Sequence, residues 1–458
     1  MLPTQILDRF IERCPAAVMM RATLERLLRP ARLDQIFEDS RQRQYTRQLL
    51  FSQLVAVMTA VATRTHRSVH AAYLAMSERL EVSVTALYDK LNLLELGISV
   101  ALIRDTSADA ATVIDAMPAA KIVVLPGFEV FYLDGNHLAS TEHRLTALRD
   151  TREGPLPGQT LALLDAQRGL IVDIEPCEDG HAQERSLLPA LLERIRPATV
   201  IVADRNFCTS GFFFGLATRG AYFVIRQHAS TLTWKLRGKR RRIGRIKTGM
   251  VHEQGMELHF HEKTLSARRI TLELDHPTEN GDTQIHIITN LSAEQATAQQ
   301  VAETYGTRWT VEGAFQTLTD VLRCEVETLG YPRAALFSFA TAVLAYNTYT
   351  VVQASLRAAH GVAVIREKLS DYHLMSDVAA TYVGMDIAVP EECWEPYRAL
   401  PASGFAKAMV QLAHRVQLAR YPKKKRGPKK PQPRKKSGRR NHHISTARLL
   451  LKRRKKTP

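Results

Sequence analysis

Three carboxylates stand out by their place in the chain. Asp134 closes the apolar run FYLDGN, Asp204 closes VIVADRN, and Glu312 lies within TYGTRWTVEGAFQTLTDVLRCEVE. An acidic side chain at the end of an apolar strand is poorly solvated unless it is paired, hydrogen-bonded or bound to a cation. A turn or capping aspartate is the ordinary alternative, and Asp165, Asp173 and Glu175 occupy comparable places. Three carboxylates from two strand ends and one helix can hold two Mg2+ ions about 3.5–4 Å apart, with Mn2+ able to substitute. Phosphodiester chemistry needs that arrangement: one ion lowers the pKa of an attacking water or 3′-hydroxyl, and the other stabilises the leaving oxygen. Hard oxygen ligands do not imply zinc.

The elements that must position these groups are legible from periodicity. Runs rich in Val, Ile, Leu and aromatics predict strands over Glu129 to Gly135, Thr160 to Pro176 and Thr199 to Phe207. The middle run holds its own turn at Gln167 to Gly169 and so reads as a hairpin, giving an antiparallel meander of three strands. A helical period over His181 to Arg196 leads into the fourth strand, which implies a parallel pair in a mixed sheet, and Gly220 to Gln227 adds a fifth strand. With Glu312 as origin and about 100° per residue, Tyr305, Arg308, Gln316, Thr319 and Arg323 fall within about 40° of it on one helix. Val311, Phe315, Leu318 and Leu322 form the adjoining apolar face. Such a polar stripe is ordinarily a solvated face; a lone Glu among Arg308, Tyr305 and Arg323 fits equally a metal-binding carboxylate flanked by phosphate-holding cations.

YLDGNH, VIVADRNF and the spacing Tyr305, two residues, Arg308, three residues, Glu312 resemble the DDE transposases of the insertion-sequence-four family. The resemblance covers residues 125 to 350 or so. It implies an α/β fold: an RNase H-like mixed five-stranded sheet with a β-rich insertion between the second Asp and the Glu, flanked by helical N- and C-terminal regions. It also implies cut-and-paste DNA transposition, with Asp134, Asp204 and Glu312 as the catalytic, metal-binding triad and Tyr305 and Arg308 on transposon-end phosphates. The family expects Lys six residues after the Glu; this sequence has Thr319, and Arg323, one turn further, is the candidate replacement cation. Family members also flip a base beside the cleavage site, for which Trp234 and Trp309 are stacking candidates against ordinary core roles. His137, Arg205 and Asn206 adjoin the aspartates and are candidates for orienting them. The implied partners are DNA, as element terminal inverted repeats and target, and a second copy of the chain in a homodimer on two ends.

The charge agrees with a polyphosphate partner. The chain carries 63 Lys and Arg against 46 Asp and Glu, a net +17. Residues 421–458 hold 17 Lys or Arg and no acid, so the first 420 residues are formally neutral. Such a tail, with prolines at 422, 428, 431 and 433, is expected to be disordered when free and to bind nucleic acid through counterion release. A second cluster, RGKRRRIGRIK, has seven Lys or Arg between Arg237 and Lys247 and reads as a basic hairpin turn. Arg240, Arg241 and Arg242 are its candidates for DNA contact, a solvated turn being the alternative.

The 458 residues divide into a helical N-terminal domain over 1–118, a catalytic core over 119–228, the β-rich insertion over 229–290, final core helices over 291–355, a helical region over 356–420 and the basic tail. Ser83 to Ser99 in the first domain is a candidate DNA-reading helix. Five scattered cysteines without a C-x-x-C pair argue against a disulfide framework or zinc site. Apolar stretches such as Ala334 to Val343 read as too short or too interrupted for a membrane span, and Asp8 and Glu12, where a secretory signal would carry a charge-free apolar core, argue against export. The expected setting is cytoplasmic and nucleoid-associated. Alternatives are an RNase H-like nuclease that cuts without joining and a non-catalytic nucleic-acid-binding protein. A glycosidase using Asp134 and Asp204 is disfavoured by the basic tail.

Overall fold

The computed structural model describes residues 3–46, 48–228, 232–278, 281–318, 326–424 and 443–454. Seven helices open the chain: α1 (Pro3–Arg13), α2 (Pro15–Leu27), α3 (Pro30–Ser40), α4 (Phe51–Ala62), α5 (Val69–Leu80), α6 (Val84–Leu93) and α7 (Leu96–Asp115). Ser68 and Ser83 cap α5 and α6 by accepting main-chain N–H bonds from Ala71 and Ala86.

The apolar runs then form strands β1 (Glu129–His137), β2 (Gly154–Leu156), β3 (Gln159–Asp165), β4 (Ile171–Cys177), β5 (Thr199–Ala203) and β6 (Tyr222–Arg226). β1 lies antiparallel to β3 and parallel to β5, and β5 lies parallel to β6. Short α8 (Leu188–Leu192) precedes β5, and α9 (Ser210–Thr218) crosses from β5 to β6. Every residue of β3 is buried, because a central strand covered on both faces presents no side to water.

Alternate residues serve two cores. Val130, Tyr132, Val200, Val202 and Val224 pack on one face with the long helices. Phe131, Leu133, Ile201, Ala203 and Phe223 pack on the other against Leu188 and Leu191 of α8 and Phe212 and Phe213 of α9. The parity of β1 and β5 therefore puts Asp134 and Asp204 on the face that carries Val130 and Val200.

The expected insertion forms, but as a continuation of the sheet. β7 (Thr233–Ile246), β8 (Gly249–Phe260), β9 (Lys263–Leu274) and β10 (Gln284–Thr289) make an antiparallel meander, and β10 pairs with β6. The five-stranded sheet expected from the sequence is thus nine-stranded, in the order β4-β3-β1-β5-β6-β10-β9-β8-β7. The physical reason is the outer edge of β6, whose main-chain groups need a partner that β10 supplies.

Chain elements α10 (Ala298–Gly306) and α11 (Trp309–Gln316) follow, then α12 (Pro332–His360), α13 (Val362–Lys368), α14 (Asp371–Ala388), α15 (Glu395–Ala399) and α16 (Ala402–His414). By length and composition α12 could cross a membrane, contrary to the sequence expectation, but its apolar window is 94% buried inside the protein, as in a core helix. Asn347, fully buried on α12, accepts from the Ile171 N–H at 2.9 Å and donates to the Ile171 carbonyl at 2.8 Å. It serves the edge of β4 as a neighbouring strand would.

The tail also departs from expectation at both ends. Tyr421 is buried with its hydroxyl donating to Asp377, and Pro422 bridges to Leu369. Further on, β11 (His443–Ser445) pairs in parallel with β2 and leads into α17 (Thr446–Arg454). Main-chain pairing and the Arg448–Asp179 contact outweigh self-repulsion there; residues 425–442 lie outside the described residues.

Candidate active site

Asp134 sits inside β1 rather than at its end, opposite Ala162 of β3. Leu133 is paired in parallel register with Ala203, so Asp134 and Asp204 are neighbours across the β1–β5 pair. β5 stops at Ala203, and Asp204 caps a short turn over Arg205–Phe207, its carboxylate accepting from the Asn206 N–H at 2.6 Å. Asp134 accepts from the Gly135 N–H at 3.0 Å.

The continuous helix expected around Glu312 is broken. α10 ends at Gly306 and α11 begins at Trp309, with Arg308 at the break. Tyr132 on β1 donates its hydroxyl to Thr307 Oγ1 at 2.6 Å, and Thr307 in turn bonds the Thr304 carbonyl at 2.6 Å, which ties the break to the sheet. Tyr305, 7% exposed, keeps its side chain in hydrogen-bond contact with Arg308, close enough to Asp204 to feel its charge. Arg308, 6% exposed, reaches Glu312 Oε1 at 2.7 Å from one guanidinium nitrogen and Asp134 Oδ2 at 3.4 Å from the other. Its guanidinium also lies over the Trp309 ring, 5.0 Å from the centroid. Trp309 is 65% exposed, so the core role set against it in the sequence does not apply. Thr319 and Arg323 lie outside the described residues.

Burial pushes the Asp134 carboxyl up to about 6, against the pull of Arg308 and the Gly135 N–H, and the charges of Asp204 and Glu312 push in the same direction as burial. The three carboxylates sense one another through this single group. Among the described residues no three His, Cys, Asp or Glu side chains converge as a preformed cation site. Arg308 bridges Asp134 and Glu312 instead. The donor set still fits a hard divalent cation, being carboxylate oxygen throughout.

Other expected residues are placed differently. Arg240, Arg241 and Arg242 belong to edge strand β7 and not to a turn, all exposed. Arg240 pairs with Glu273 and Arg241 with Glu253, while Arg242 contacts the Met250 sulfur. Trp234 is half-buried under the Arg269 guanidinium, and with Arg205, Arg226 and His286 it lines a cleft of about 380 Å³. Arg205 therefore faces this cleft, next in sequence to Asp204. His137 ends β1 and is exposed.

Sequence reasoning missed Glu184, which sits on a short turn over Glu184–Leu187. Its carboxylate lies against Gly135 and accepts from the Asn206 side-chain amide, so it touches the residue after Asp134 and the second residue after Asp204. The only sequence signal was the glycine of YLDGNH, required where a side chain closes over the main chain.

Residues 157–348 match the model of the transposase DDE domain. The matched DDE domain is about two-fifths of the chain and takes in Asp204, Tyr305, Arg308 and Glu312; β1 with Asp134 precedes it. A comparison with curated proteins finds no match. The DDE-domain match points to an enzyme of transposase or nuclease type with DNA as substrate.

Proposed function

We propose that this protein is a DDE transposase of the insertion-sequence-four type, acting by cut-and-paste. It would cut at element ends and join the freed 3′-hydroxyl to target DNA, as a homodimer holding two ends at the nucleoid. The observation that carries the reading is the in-register placement of Asp134 beside Asp204, with Arg308 joining Asp134 to Glu312, next to and within a transposase DDE domain match.

Asp134, Asp204 and Glu312 would hold Mg2+ or Mn2+, which when bound activates the attacking oxygen and offsets charge on the leaving one. The remaining work belongs to the chain. Arg308, permanently charged, holds Glu312 on the side of Asp134 and keeps two buried-edge carboxylates from repelling each other. The main-chain N–H groups of Gly135 and Asn206 fix one oxygen on each aspartate, and Arg308 reaches the second oxygen of Asp134. Exposed Trp309 is available to stack on a nucleotide base, and β7 offers Lys235, Lys239 and Arg242 to phosphates, with Lys247 in the turn after it.

The test is incubation of purified protein and Mg2+ with a plasmid carrying its own gene and flanking DNA, beside Asp134→Ala, Asp204→Ala and Glu312→Ala. Excision at defined ends followed by joining, lost in all three variants, is the expected outcome. Cutting without joined products would assign a nuclease, and activity that survives loss of Glu312 would sink the triad.

A further inference from the structure

The Glu184 carboxylate is braced on several sides. It leaves no room for a β-carbon at Gly135. It accepts from Asn206 Nδ2, while Arg185 donates to Asn206 Oδ1 at 3.3 and 3.4 Å, so the two ends of that amide are held by neighbours of opposite charge. Asn206 in turn donates its main-chain N–H to Asp204, and Gly135 donates its own to Asp134. The turn carrying Glu184 is itself fastened: Gln159 of β3 donates to the Ala182 and Asp179 carbonyls, and Arg448 of α17 reaches Asp179 and the His181 carbonyl.

We propose that Glu184 is a positioning residue that sets the spacing of Asp134 and Asp204 for a divalent cation. The inference rests on the function proposed above. Glu184 acts at one remove, through the Asn206 amide and by contact with Gly135, and its work is done by a hydrogen-bond acceptor rather than by charge. Asn206 cannot swing away while Glu184 and Arg185 hold its amide, so the N–H that fixes Asp204 stays aimed. Glu184 against Gly135 likewise keeps β1 seated beside the turn after β5. Supporting partners of this kind typically change metal affinity by about 10–100-fold when removed.

The experiment is direct Mn2+ binding to the full chain by calorimetry and electron paramagnetic resonance, with Tm recorded for every variant. Glu184→Ala is expected to bind about tenfold more weakly than wild type, and Glu184→Gln, whose carbonyl still accepts from Asn206, within about twofold. Gly135→Ala displaces the carboxylate by its β-carbon while keeping it in the chain, so it should weaken binding like Glu184→Ala, and it carries the test if Glu184→Ala fails to fold. Wild-type affinity in both Glu184→Ala and Gly135→Ala would overturn the inference alone. Glu184→Gln as weak as Glu184→Ala would overturn it in favour of a charged ligand. Asp134→Ala and Asp204→Ala are the controls: undiminished binding in both would overturn the functional reading, and the inference with it.

Discussion

Asp134 is an acid held in a place that suits its neutral form. Its ordinary pKa of 3.8 is raised to about 6 in the folded chain, so the folded state retains the proton that the unfolded chain releases. The stability this contributes is complete below about pH 3.8 and is lost as pH rises through about 6. Asp134→Asn removes the ionisation, so at pH 8 the variant should be more stable than wild type, by up to about 3 kcal/mol, and the gap should close toward pH 4. Urea titrations of both proteins across that range measure it, and a pH-independent difference would refute the assignment. Asp134 and Asp204 were legible because acids terminating apolar runs need a reason to be there. The Arg308–Glu312 pair was legible from its spacing of four. Glu184 was not, since nothing in ERSL marks it until a turn folds over Gly135. The helix break before Arg308 was hidden for a similar reason: it depends on Thr307 meeting Tyr132, a contact across 175 residues.

Strand runs and their hairpin could be read at the scale of single elements because β propensity and turn residues are local signals. Which edge the insertion would join could not, since alternation marks a strand without naming its neighbour. The apolar span over α12 read as interrupted for a membrane crossing by its Ser, Thr and Asn residues. The structure resolves those interruptions: Thr348, Thr350 and Ser355 each return a hydrogen bond to the carbonyl four residues earlier, and Thr341 to the carbonyl three earlier. Asn347 is the exception that faces outward from the helix to Ile171. Asn347→Leu preserves volume but strands a buried N–H and carbonyl on β4, and should cost about 1–3 kcal/mol in chemical denaturation, with no change expected in cation binding at Asp134. A neutral result would mean that water replaces the amide.

For the molecule as a whole, charge counting located the basic excess correctly and overestimated how much of it is free. The run through β7 meets Glu253 and Glu257 of β8, Glu273 of β9 and Asp275 just after it, acids that lie too far along the chain to be weighed against it beforehand. Among the described residues of the tail, Arg448 meets Asp179 and Arg453 meets Asp150. Ending the chain after Lys424, which spares buried Tyr421 and its bond to Asp377, should flatten the fall of DNA affinity with salt by several units of log–log slope, with Tm lowered by loss of the β11–β2 pairing and the Arg448–Asp179 contact. Binding isotherms at graded salt decide this; an unaltered slope would assign the tail another partner. The position of α12 has a further consequence, for biosynthesis. The apolar faces of α2, α4, α6 and α7 close on a helix that does not begin until Pro332. A nascent chain must carry those faces exposed, beside the strands of the nine-stranded sheet, until nearly three-quarters of the chain has been made. Premature termination anywhere before that point releases a product with sticky helices and unpaired strand edges, so such fragments should be cleared by chaperones and proteases rather than persist as dominant partners of the intact protein.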